Sequence, residues 1–96
     1  MGPLKKGPAF ELGQTVASPG ALGVLQKARQ DPCEFLARHV SRDWGDVSWQ
    51  DREENDYGLE HGLRLLSVYR TNAGDKLWII TEADRSATTL LLPEEY

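Results

Sequence analysis

The residues of this chain best suited to chemistry concentrate in one short segment, Thr81-Glu82-Ala83-Asp84-Arg85-Ser86-Ala87-Thr88-Thr89, set between two apolar runs. Glu82 and Asp84 are carboxylates two positions apart that could hold a divalent metal through oxygen ligands. Arg85 beside them could bind the phosphate on which such a metal acts, and Ser86, Thr88 and Thr89 supply hydroxyls. A plainer account serves the same residues. In a connection between strands, Asp84 and Ser86 bond local backbone N–H groups and Arg85 pairs with Glu82.

Arg38-His39 with Arg42-Asp43-Trp44-Gly45-Asp46 forms a second cluster. A histidine on a helix face, with carboxylates such as Asp43 just past the helix end, can act as a general base or a metal ligand. Joined to Glu82 and Asp84, His39 would complete the ligand set of a metal-dependent nuclease or hydrolase. Yet His39 falls on the same helical stripe as Phe35 and Leu36, which points instead to a half-buried ring bonded to a carbonyl or to Asp43. Trp44 reads as a plug over the core edge, with Gly45 permitting the turn. Cys33 lies in a helix's first turn, where the dipole favours thiolate, but helical spacing brings no base near it and it reads as an idle thiol. His61, next to a helix end, is explained by the dipole there. Nothing resembles a phosphate-cradling glycine loop or a paired Cys-x-x-Cys, and no cofactor or bound metal is expected.

Several elements must position these side chains. Residues 10–16 alternate apolar and polar, weakened by Gly13, as a short edge strand or extended arm would. Ser18-Pro19 starts a helix with Leu22, Leu25 and Ala28 on one face. Asp31-Pro32-Cys33-Glu34 starts a second with a capping-box pattern. Ser48 opens a third, mostly charged, which ends before Gly62 and which only Trp49, Tyr57 and Leu59 can anchor. From Leu63 the period becomes two. Residues 63–70, 76–82 and 87–92 predict three strands, with Asn72 and Gly74 in the first hairpin loop and Pro93 ending the last. Helices first and strands last predict an α+β domain in which two to three N-terminal helices pack on a C-terminal three-stranded antiparallel meander. Trp78, on the central strand, is the expected best-buried tryptophan.

Ninety-six residues allow one core, here residues 10–96, preceded by a flexible tail over 1–9. The 40% apolar and 27% charged content is that of an ordinary globular protein, and no apolar run approaches the roughly 20 residues that span a bilayer. With a single cysteine, the expected setting is the reducing cytoplasm, away from membranes. The net charge of −4 argues against direct nucleic-acid binding. Seven acids lie between Arg42 and Glu60 against two arginines, a pattern that suits a solvated helix face or a decoy for a basic nucleic-acid-binding partner. The near-continuous apolar strands Leu77-Trp78-Ile79-Ile80 and Leu90-Leu91-Leu92 exceed what three short helices can cover, so a two-fold homodimer through the spare sheet face is expected.

The segments LGQTVASPGAL at 12–22, FLARHVSRDWGD at 35–46 and WIITEADRSATTLLLPEEY at 78–96 resemble a family of short uncharacterised bacterial proteins often labelled plasmid-related proteins, and sometimes restriction-modification subunits. The resemblance spans residues 12–96 and implies association with a mobile genetic element, but no activity or catalytic residue. A non-enzymatic interaction or accessory protein is therefore the leading expectation. The nuclease or hydrolase built on Glu82, Asp84 and His39 and the acidic decoy are its alternatives.

Overall fold

The structure, a computed structural model, describes residues 8–96. Of the tail expected over 1–9, residues 1–7 lie outside the described residues, while Ala9 donates its N–H to the Val40 carbonyl at 2.8 Å.

The chain is α+β, running β1 (Gln14–Ala17), α1 (Pro19–Ala28), α2 (Pro32–Val40), α3 (Trp49–His61), β2 (Leu65–Arg70), β3 (Lys76–Thr81), β4 (Ala87–Leu91) and a final 3-10 turn (Pro93–Glu95). Helix starts fall where the capping residues put them. Ser18, Asp31 and Ser48 each accept a backbone N–H from the first turn, and proline occupies the first turn of α1 and α2. The reciprocal capping box expected at α2 is not formed: Asp31 accepts from the Cys33 N–H rather than that of Glu34, and Glu34 accepts from the Gln30 side chain.

The sheet corrects the expectation of a bare meander. Strands β2, β3 and β4 are antiparallel neighbours as predicted, but β1 adds to β4 in parallel, giving a four-stranded mixed sheet of order β1-β4-β3-β2. The added strand needs Gly13: its φ is 65°, and a Cβ there would collide with the carbonyls of Arg85 and Ser86.

Strand alternation divides the side chains between two faces. Leu77, Ile79, Leu90 and Tyr69 face the helices and form the core with Ala21, Leu25 and Phe35. On the other face Ile80 and Leu91 are buried, while Leu66, Val68 and Trp78 are half-buried. The chain's own C-terminus covers part of that face: Tyr96 packs against Trp78 with ring centroids 5.6 Å apart, and Arg64 donates to the Tyr96 hydroxyl at 2.7 Å. Glu95 anchors this segment by accepting from Ser18 Oγ and from the Gly20 N–H at the start of α1. Trp78 is therefore not the best-buried tryptophan. Trp44 is, at 3% exposure.

The β2 edge is closed by an unusual pairing. Asn55 of α3 donates to the Leu66 carbonyl at 2.7 Å and accepts the Leu66 N–H at 3.0 Å, as a neighbouring strand would. Two residues on, the Val68 N–H bonds the Trp44 carbonyl and the Val68 carbonyl accepts from Asp46. Gly45, at φ 79°, lies so close that any Cβ would meet the Val68 carbonyl and the Tyr69 ring. Helix α3 is thus anchored by Asn55 and Gly58, not by Trp49 and Tyr57.

Candidate functional site

His39 lies on the helical stripe the sequence indicates, yet it is wholly buried and its partners are not the expected ones. Its Nδ1 is 2.6 Å from Ser67 Oγ, and its Nε2 is 2.9 Å from Thr81 Oγ1. Thr81 Oγ1 in turn is 2.7 Å from Thr88 Oγ1, which donates to the Leu12 carbonyl at 2.7 Å. The carbonyl at the end sets every proton. Thr88 gives its hydrogen to Leu12, Thr81 gives its own to Thr88, His39 Nε2–H donates to Thr81, and Nδ1 accepts from Ser67. The chain of bonds thus selects a neutral ring with the proton on Nε2. Burial, then the nearby Arg85 charge, pushes the His39 pKa down to about 4. Phe10 and Trp44 close over the ring edge-on, at centroid distances of 5.2 and 5.7 Å. His39, Ser67, Thr81 and Thr88 are all fully buried, so none of the four side chains reaches solvent.

Arg85 is equally committed. Its guanidinium donates to the carbonyls of Leu63 (2.6 Å), Glu82 (3.1 Å), Ala83 (3.1 Å) and Gly58 (3.1 Å). Gly58 lies in the last turn of α3, Leu63 just past its end, and Glu82 and Ala83 in the turn of Arg85 itself, so the charge clips the helix end to the β3–β4 connection. The expected pairing with Glu82 is absent, and Glu82 faces Arg64 at 3.9 Å instead. Asp84 accepts the Ser86 N–H at 3.0 Å, the local turn anticipated for it, and bonding to Ser86 holds its carboxyl below the usual range. Thr88 and Thr89 point to opposite faces of β4 and cannot share a site. Among the described residues no group of three His, Cys, Asp or Glu side chains could hold a metal, so Glu82, Asp84 and His39 are not brought together.

Asp43 also departs from expectation, since it bonds Arg38 twice, at 2.7 and 3.2 Å, rather than His39. The Arg38 hydrogen bond holds the Asp43 carboxyl below its ordinary value. Trp44 does plug the core edge, and its Nε1–H donates to Asp56 at 3.2 Å. Cys33 is exposed, and the adjacent Asp31 carboxylate pushes its thiol up, away from a nucleophilic thiolate.

Sequence reasoning missed Ser67 and Thr81 as partners of His39. Strand parity carried the signal. Ser67 alternates in phase with Leu65 and Tyr69, Thr81 with Leu77 and Ile79, and Thr88 with Leu90. Polar groups at inward positions must meet one another.

What remains accessible is the outward face of α3. Trp49 is 69% exposed and Tyr57 58% exposed, and the Tyr57 ring stacks on His61 at 3.9 Å. Beside Tyr57 runs an open groove of about 610 Å³ lined by Gln50, Glu53, Glu54, Tyr57, Leu63 and Arg64. Apolar rings, an exposed leucine and carboxylates thus share one surface.

No helix among the described residues is long and apolar enough to cross a membrane. In comparisons with known proteins, no family model matches this chain, and neither the curated proteins nor the solved structures yield a match.

Proposed function

We propose that this chain is a non-enzymatic protein-interaction module that engages a cationic, apolar-anchored segment of a partner protein through the outward face of α3. The observation that carries the proposal is the exposure of Trp49 and Tyr57 on a helix whose other outward residues include Glu53, Glu54 and Glu60. Large aromatic side chains left in water beside a groove are the usual anchors of an interface, and the surrounding carboxylates favour a Lys- or Arg-rich partner. This joins the interaction reading to the acidic-decoy reading. The mobile-element setting implied by the family resemblance belongs to the same proposal. A nuclease or hydrolase has weaker support, because both His39 nitrogens and the Arg85 guanidinium are engaged internally.

Titration with a synthetic amphipathic peptide of lysine and leucine, followed by calorimetry, tests it. Binding is expected to weaken with added salt and to fall roughly tenfold or more when Trp49→Ala and Tyr57→Ala are combined. Equal affinity in the double variant would reduce α3 to a solvated acidic face and end the proposal.

A further inference from the structure

The two edges of the sheet are treated differently. At β2, the outward backbone groups of Leu66 and Val68 are satisfied by Asn55, Trp44 and Asp46. At β1, the N–H groups of Gln14 and, just past the strand, Ser18 bond carbonyls on the β4 side, those of Ser86 and Leu90. Alternation then turns the N–H and C=O of Thr15 and Ala17 away from the sheet. No described residue bonds them, and Gln14, Thr15 and Val16 are exposed.

We infer that β1 pairs with β1 of a second copy of this chain, antiparallel about a two-fold axis at Val16. In that register Thr15 and Ala17 of one copy exchange hydrogen bonds with Ala17 and Thr15 of the other. All four outward groups of each strand are used, and Val16 faces its own copy across the axis. The choice of a second copy rests on three points. The free groups, at two residues separated by one, are complementary to themselves under a two-fold. Val16, 44% exposed, lies on the same row as Leu66, Ile80 and Thr89, so the pairing extends an existing row, apolar but for the Thr89 hydroxyl, across both sheets. The capped β2 edge cannot accept β1, which leaves a closed dimer and excludes a strand-to-strand filament. This dimer replaces the face-to-face one expected from the apolar strands, and it does not depend on the role of α3.

Sedimentation of the full chain, joined with amide exchange, tests the inference. A short strand pair buries little area, so the dimer is expected to be weak, with monomer of 10.8 kDa dominating near roughly 1 µM and dimer gaining toward roughly 1 mM. Thr15 and Ala17 amides should gain protection as concentration rises, while Val16, already bonded to β4, should not change. Thr15→Pro removes an outward N–H without touching the β1–β4 ladder and should remain monomeric; Val16→Lys, placing like charges at the axis, should do the same. A wild-type chain monomeric at every concentration, whether or not another protein's strand occupies the edge, overturns the inference. So does a dimer in which Thr15 and Ala17 amides stay unprotected or which survives Val16→Lys.

Discussion

His39 couples the fold to pH. Its pKa is about 4 in the folded chain against 6.5 for a free side chain, so between those values the unfolded chain binds the extra proton. Stability from this group is therefore complete above about pH 6.5 and is lost as pH falls toward 4, by about 3 kcal/mol in all. Urea unfolding at several pH values between 4 and 7 measures the slope. His39→Leu should flatten that slope while lowering stability at pH 7 by about 2–4 kcal/mol, because Ser67 and Thr81 lose their partner. Adding Ser67→Ala should recover part of the loss, since one orphaned hydroxyl then disappears. An unchanged pH slope in His39→Leu would mean that the histidine is not held neutral by its surroundings.

Among the elements, α3 is held by polar clips more than by an apolar stripe. Arg85 joins its last turn to the β3–β4 connection through carbonyls of Gly58, Leu63, Glu82 and Ala83. Lysine keeps the charge but not the planar fork, so Arg85→Lys should cost about 1–3 kcal/mol and speed amide exchange at the end of α3. Exchange confined to global unfolding in that variant would contradict the clip. The three tryptophans rank by environment: Trp44→Ala should cost about 3–5 kcal/mol, half-buried Trp78→Ala less, and exposed Trp49→Ala within about 0.5 kcal/mol. Thermal melts of the three variants check the order. The apolar–polar pattern of 65–70 and 76–81 made these strands legible. The pattern of α3 did not reveal its contact face, since an asparagine and a glycine occupy it.

At the scale of the whole molecule, strand order sets what the two proposed surfaces can do together. Helix α3 packs beside β2, at the opposite edge of the sheet from β1. A dimer joined through β1 would therefore carry its two acidic, aromatic faces at its outer ends and act as a bivalent bridge. A tandem peptide carrying two copies of the cationic segment on a linker long enough to span the dimer should then bind the wild-type chain at least tenfold more tightly than Thr15→Pro. The single-copy peptide should bind both equally. Equal affinity for the tandem peptide at concentrations where the wild type is dimeric would show that the two faces do not act together.

Local chemistry in the sequence determined the helix starts, the three-stranded meander and the turn at Asp84, because caps, alternation and Asx turns depend on neighbours a few residues apart. It also placed His39 on an inward stripe and showed that the middle of the chain is acidic. Tertiary structure alone decided the rest. The parallel pairing of β1 with β4 joins segments some seventy residues apart, and no periodicity encodes such a partner. The same long reach brings Ser67 and Thr81 onto His39 and Thr88 onto Thr81, so that a candidate base is buried with both ring nitrogens engaged. Arg85 looks available for a phosphate in sequence because a guanidinium's acceptors are backbone carbonyls, which every residue has and no residue type announces.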